Sequence, residues 1–243
     1  MSYKISSIIV EDFYDNPDEV REYALKCNWE RPIGASVDNN WYSTSQNQAY
    51  ITNENISKLE NIIGIDIDKK HFKSNYADGG CGWNAVFHVK MSGSDFCQNG
   101  IHNHVTDGLN SPKLSINNLG YSAIVNLTPN NLAFDNGGQD IWKSEMGIEW
   151  YNSEELVNDS WPMVGFCREG ANKPAPVEIN HHKFGKWKLL SRVQYRYNTA
   201  VIMPSDVWHA GSDGWGDSIE NGRMIQTFFF REKKQFIKPT ISK

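Results

Sequence analysis

From Cys81 onward the hydrophobic pattern changes period, and no other feature restricts the fold as much. Trp83, Ala85, Phe87, Val89 and Met91 alternate with Asn84, His88 and Lys90, and because successive side chains of an extended chain point to opposite faces, the segment reads as a strand with one apolar face. His88 falls on the polar face and His71 follows two lysines, so both read as solvated. Further strands are expected at Tyr121–Thr128, Gln139–Trp142, Arg192–Tyr197, Thr199–Met203 and Arg223–Phe230, separated by glycine, asparagine and proline clusters. Many short strands with little helix between them point to a sandwich or jelly roll, not a doubly wound parallel sheet. No internal repeat is visible.

Upstream the period is helical. After a short strand at Ile8–Val10, Asn16 caps a helix with Pro17 in its first turn and Glu19 three residues after the cap; Val20, Ala24 and Cys27 then share a face. A second helix starts at Asn53, with Ile56, Leu59, Ile62 and Ile63 at helical spacing and Gly64 to end it. The 243 residues are enough for one sizeable core. We therefore read 1–243 as a single domain: a strand and supporting helices in 1–80, and a β core in 81–230. The segment Ser144–Lys188 interrupts that core, with one short helical stretch near Ser153–Val157 and a polar run at Gly170–His182. Its length suggests a binding loop that shapes substrate choice, and His181-His182 within it read as surface residues.

Composition excludes several classes. The net charge of −5 is scattered, with no lysine/arginine block to track a phosphate backbone, so duplex nucleic acid is not expected as a partner. No run approaches the ~20 apolar residues of a membrane span, and the start lacks the pattern of a secretion signal, giving an expectation of a cytoplasmic protein. Cys27, Cys81, Cys97 and Cys167 are too widely spaced for a zinc or disulfide framework. Oligomeric state is not encoded in any visible feature.

The chemistry concentrates on histidines and one arginine. His102 and His104 lie in Gly-Ile-His-Asn-His-Val-Thr-Asp-Gly, and on an extended segment two such side chains point the same way; His209 is a sequence-distant third. A facial set of two histidines and a third ligand suits non-haem Fe(II), leaving positions for an oxoacid and dioxygen. Three assignments are open: an all-histidine set of His102, His104 and His209; Asp107 as a carboxylate in place of one histidine; or two protein ligands plus an exogenous anion. Arg223, fourteen residues after His209, heads the otherwise apolar strand Arg-Met-Ile-Gln-Thr-Phe-Phe-Phe. A guanidinium there needs an anion, either the far carboxylate of 2-oxoglutarate or one of Asp206, Asp213, Asp217 and Glu220. Tyr121 and Asn126, on the strand expected to face this site, are candidates to hydrogen-bond the same molecule. Trp142 and Trp208 are candidates to wall a substrate. No Ser/His/Asp or Cys/His nucleophile constellation is present.

Several segments together carry a family resemblance. Tyr197-Asn-Thr-Ala-Val-Ile-Met-Pro-Ser-Asp-Val-Trp-His209-Ala-Gly, Gly216-Asp-Ser and Gly222-Arg223-Met-Ile-Gln-Thr-Phe-Phe-Phe resemble the C-terminal half of the Fe(II)/2-oxoglutarate-dependent oxygenases. The closest likeness is to the bacterial and phage branch related to prolyl-4-hydroxylases. The opening Val10-Glu-Asp-Phe-Tyr-Asp-Asn-Pro, the strand Tyr121-Ser-Ala-Ile-Val-Asn-Leu-Thr-Pro and the turn Gly137-Gly138-Gln-Asp-Ile-Trp fit the same template. The resemblance implies a double-stranded β-helix of jelly-roll, cupin-like type, with Fe(II), 2-oxoglutarate and O2 as cofactors. It makes His102 and His209 iron ligands and Arg223 the co-substrate anchor, in an enzyme that hydroxylates an unactivated C–H of a peptide, an amino acid or a small metabolite. One departure stands out: His104 occupies the place where the family has Asp. A third histidine leaves the site one charge more positive. The alternatives it opens are a halogenase, if His104 points away; a three-histidine oxygenase independent of 2-oxoglutarate; or a β-helix protein that binds a metal or ligand without catalysis.

Overall fold

A computed structural model describes residues 7–31, 40–73, 84–92, 101–103, 120–133, 137–145, 178–181, 185–211 and 214–233. In chain order its strands are β1 (Ile8–Val10), β2 (Trp29–Glu30), β3 (Trp41–Thr44), β4 (Phe87–Lys90), β5 (Tyr121–Asn126), β6 (Gly138–Ser144), β7 (Glu178–His181), β8 (Gly185–Gln194), β9 (Ala200–Pro204), β10 (His209–Gly211) and β11 (Arg223–Phe230). They form a large sheet, ordered β1-β9-β5-β11-β4-β3-β2, and a small one, ordered β10-β6-β8-β7. The strand pairs are antiparallel.

The helices cover one face of the large sheet. In α1 (Pro17–Leu25), Val20 and Ala24 are buried. α2 (Asn53–Ile63) begins with the Thr52 side chain accepting from Asn55 N–H and ends at Gly64 in the left-handed region, φ 76. α3 is Lys69–Lys73. Ile56, Leu59 and Phe72 pack with Phe87, Val89, Met224, Phe228 and Phe230. The opposite face carries Ile124, Val201, Met203 and Ile225, which meet Ile141 and Val193 of the small sheet. The space between the sheets is therefore lined by alternate residues of β5, β9 and β11 on one side and of β6, β8 and β10 on the other.

Two expectations need correction. Among the described residues the strand anticipated from Trp83 is formed at Phe87–Lys90, and Ala85, two residues before it, has φ 58, which breaks the extended run; Trp83 itself lies outside those residues. The interruption anticipated over Ser144–Lys188 contains β7 and the start of β8, both paired into the small sheet. The periodicity was obscured by a bulge: Ile141 opposes Ser191 while Trp142 opposes Leu189, so Leu190 is the extra residue. Beyond it β8 exchanges faces, and Leu189 and Trp187 join Trp142 on the outer side while Val193 stays inside. Among the described residues no helix is long and apolar enough to cross a membrane.

Candidate active site

β10 brings two sequence-distant histidines together. His102 and His209 form an isolated antiparallel bridge, each N–H donating to the other's carbonyl at 2.9 and 2.8 Å. Directly bridged residues share a face, and the two rings stand 4.5 Å apart between centroids. That face is the inner one, because His209 is in register with Ile141, which packs against the large sheet. The Nδ1 of His209 lies 2.9 Å from the Val207 carbonyl. A carbonyl only accepts, so Nδ1 carries a proton; in the neutral ring this leaves the lone pair on Nε2, the form in which imidazole binds a metal.

Arg223 is placed by glycines and by a backbone clamp. Its guanidinium Nη2 donates to the Gly138 carbonyl at 3.3 Å. A Cβ on Gly211 would stand 3.2 Å from both Nη1 and Nη2, so the guanidinium lies against the bare Cα of that residue. Gly138 has φ 142 and its Cβ would strike the Val193 carbonyl, so only glycine fits at this entry to β6. The backbone on either side of Arg223 is held by Thr128, whose hydroxyl donates to the Gly222 carbonyl and accepts from Met224 N–H, both at 2.7 Å. The Tyr195 hydroxyl donates to the Met224 carbonyl and accepts from Thr128 N–H. Burial pushes that phenol up to about 12, so it is a permanent donor at working pH.

Beside Arg223, β4 contributes Lys90 and also His88, which is expected from the sequence to be solvated. Lys90 is directly opposite Arg223, and His88 is opposite Ile225; both are buried. The His88 ring joins Ser43 Oγ at Nδ1 (2.6 Å) and Thr227 Oγ1 at Nε2 (3.1 Å), with the Trp41 ring 5.9 Å away. Burial first, and then the Arg223 charge, lower its pKa to about 3, so His88 is neutral. The expectation fails because β4 runs between β3 and β11, and its polar side looks into the space between the sheets instead of into water. The alternation of His88 and Lys90 was visible in the sequence; what it faced was not.

The other expected site residues are distributed as follows. Asn126 shares the inner face with Ile124 and is buried, opposite Ile225. Tyr121 is on the helix side, its ring stacked on Phe230 at 5.7 Å, and by strand alternation Ser122, not Tyr121, points inward. Trp142 is buried with Ile101, Trp187 and Ala210 on the outer face of the small sheet, and Trp208 packs edge-on to Trp187 at 5.1 Å. They form a core of their own there and do not line the inner space. Among the described residues no group of three His, Cys, Asp or Glu side chains gathers. His104 and Asp107, the two candidates for the third ligand place, lie outside those residues, as do Asp213 and the stretch Ser153–Val157.

No protein-family profile and no curated protein matches the chain. Solved structures do. The epimerase SnoN in complex with Fe3+, alpha ketoglutarate and nogalamycin RO superposes with a TM-score of 0.51 at 12% identity, over 93% of this chain and 79% of that one. The non-heme alpha ketoglutarate dependent carbocyclase SnoK from nogalamycin biosynthesis gives 0.47 at 12% identity, over 93% and 79%. HygX from Streptomyces hygroscopicus, with nickel and 2-oxoglutarate bound, gives 0.46 at 10% identity, over 94% and 83%. At such identities the likeness is one of fold, and the SnoN superposition carries it. The chain shares with SnoN a double-stranded β-helix, jelly-roll architecture, and in this chain the His102–His209 bridge and the buried Arg223 lie between the two sheets.

Proposed function

We propose that this protein is an Fe(II)- and 2-oxoglutarate-dependent oxygenase that hydroxylates an unactivated C–H bond of a peptide, an amino acid or a small metabolite. The observation that carries the reading is the placement of Arg223 relative to His209. The guanidinium lies on Gly211, two residues along the same face of β10 from His209. Two residues of strand span roughly 7 Å, a separation of the order that the whole length of 2-oxoglutarate covers between a metal-bound oxoacid end and a far carboxylate on Arg223. The donor set fits a ferrous ion: two imidazole rings side by side, with Nδ1 of His209 occupied by the Val207 carbonyl and Nε2 left for a metal.

In this reading His102 and His209 hold the iron, with His104 favoured over Asp107 as the third ligand, and Arg223 fixes the far carboxylate by two parallel hydrogen bonds. Asn126 is a candidate hydrogen-bond partner for the co-substrate from β5. Bound iron supplies redox chemistry with dioxygen, coupled to decarboxylation of 2-oxoglutarate to succinate. The chain supplies orientation and dryness: Ile124, Ile141, Val201, Met203 and Ile225 wall the inner space with apolar surface.

The test is anaerobic reconstitution with Fe(II) followed by 2-oxoglutarate. The weak visible metal-to-ligand charge-transfer band is expected, and succinate on admitting oxygen. Absence of both would overturn the proposal. His104→Ala and Asp107→Ala then separate the ligand sets: metal binding lost with His104→Ala and kept with Asp107→Ala is the expected pattern, and the reverse assigns the place to Asp107.

A further inference from the structure

Helix α1 reaches the strand that carries Arg223 from the opposite side of the large sheet. Arg21 lies in the middle of α1 and is buried, at 9% exposure, whereas an arginine on a surface helix normally keeps its charged end in water. Its guanidinium Nη1 donates to the Leu127 carbonyl at 3.3 Å and lies 3.6 Å from Met224 Sδ, while Nη2 donates to the Glu220 carbonyl. One side chain thus joins the end of β5 to the turn that leads into β11. The helix is itself fixed at this spot. Asp18 accepts from the Tyr197 hydroxyl at 2.6 Å, and helical residues three apart share a face, so Asp18 anchors the face that carries Arg21. Just before the helix, the Asn198 side-chain amide accepts from Tyr14 N–H and donates to the Tyr14 carbonyl, both at 2.8 Å.

The backbone that Arg21 grips is also the backbone that aims Arg223. Leu127 precedes Thr128, whose hydroxyl bridges Gly222 and Met224, the two neighbours of Arg223. Leu127 N–H donates to the Met224 carbonyl at 2.9 Å. Glu220 lies in a turn closed by Gly222 N–H on the Ser218 carbonyl at 2.9 Å, with Asn221 Oδ1 accepting from Asp217 and Ser218 N–H. A Cβ on Gly222 would come within 2.6 Å of Val89 Cγ1, so the turn is pressed against β4. From the helix side, Arg21 therefore holds the same two chain segments that Thr128 joins. Met224 and Arg223 leave the strand on opposite faces. Contact with Met224 and with the two carbonyls fixes the rotation of the strand at its first residues, and with it the direction in which Arg223 enters the inner space. A guanidinium–carboxylate fork is planar, and a small tilt costs it one of its two hydrogen bonds.

We infer that Arg21 is a positioning residue for Arg223: from the helix side of the large sheet it locks the turn and the strand end that aim the guanidinium, and so sets the affinity for the far carboxylate of 2-oxoglutarate. This rests on the functional reading above.

The experiment is calorimetric titration of the anaerobic Fe(II)-loaded protein with 2-oxoglutarate and, separately, with 2-oxopentanoate, which keeps the oxoacid end and lacks the far carboxylate. Arg21→Met keeps most of the buried stem and removes the donors. It is expected to weaken 2-oxoglutarate ~3- to 30-fold and to leave 2-oxopentanoate and Fe(II) within about twofold, while Arg21→Lys recovers part of the loss. Thermal melting confirms folding of each variant; should Arg21→Met fail to fold, Arg21→Gln against Arg21→Lys makes the same comparison. A merely structural role would lower both oxoacids together. Equal losses for both, or no loss for either, would overturn the role of Arg21 while leaving the oxygenase reading intact. A wild-type protein that binds neither oxoacid would overturn the oxygenase reading itself.

Discussion

On β11, Met224, Phe228 and Phe230 point to the helices, whereas Arg223, Ile225 and Thr227 point to the small sheet. The same contrast runs through β4, where Phe87 and Val89 join the helix-side core while His88 and Lys90 line the inner face. Both faces are buried, and they bury different chemistry. Apolar burial is non-directional and scales with area, so the helix side supplies cohesion without demanding exact partners. Buried polar and charged groups need partners in fixed geometry, which is why the inner face is braced by Thr128, Tyr195, Ser43 and glycines. One sheet thus separates holding the fold from presenting a site.

The sharpest way to break that division is to remove a helix-side ring. Phe228 is fully buried, its ring stacked on Phe72 at 5.9 Å, so Phe228→Ala should lower unfolding free energy by ~3–5 kcal/mol in urea titrations. Fe(II) affinity of the folded fraction should stay unchanged. His209→Ala should do the converse, weakening Fe(II) by at least ~100-fold in equilibrium dialysis at a smaller cost in stability. A comparable loss of stability from both would mean that the faces are not specialised.

Acid should act through the inner face. The folded-state pKa of His88, about 3, lies below its ordinary 6.5, so between these values the unfolded chain binds more protons than the native one. Stability then rises with pH across that window, is fully present above about 6.5, and is lost as pH falls toward 3. The loss is on the order of 2 kcal/mol by about pH 5. His88→Gln should flatten the slope in denaturation measured between about pH 4.5 and 7, and an unchanged slope would assign the acid sensitivity elsewhere. Thr128→Val keeps shape but strands the Met224 N–H, and should cost ~1–2 kcal/mol with a larger proportional loss of 2-oxoglutarate affinity than of metal affinity. At the low end, Lys26→Ala removes an exposed pair with Glu22 at 3.7 Å and should change stability by less than ~0.5 kcal/mol.

Much of this layout could be read before folding. The span Arg223–Phe230 forms as expected because one charge heads an unbroken apolar run, and α2 runs from its Thr52 cap to Gly64 because both termini carry their own chemistry. What failed shares one cause. In Tyr121–Asn126 one alternating set is Tyr121, Ala123 and Val125 and the other Ser122, Ile124 and Asn126, and each mixes apolar with hydrogen-bonding groups, so composition did not say which faced the helices; Tyr121 went with Phe230 and left Ser122 inside. His88 and Lys90 were correctly grouped on one side of a strand, but a polar side looks the same whether it meets water or a site. Trp142 and Trp208 read equally as wall or as core, and the bulge at Leu190 turned their neighbours Trp187 and Leu189 to the outer face.

By itself, then, the sequence determined the class of elements, the strand that begins with an arginine, and His102, His209 and Arg223 as the candidates for a metal and an anion. Periodicity, capping and side-chain chemistry are local properties, and they are written within a few residues. Only the tertiary structure decided which faces look inward, that His102 and His209 stand ring to ring, and that Gly211 lies against the Arg223 guanidinium. Those are matters of register between strands far apart in the chain, and a shift of one residue would have turned every one of those side chains to the other face.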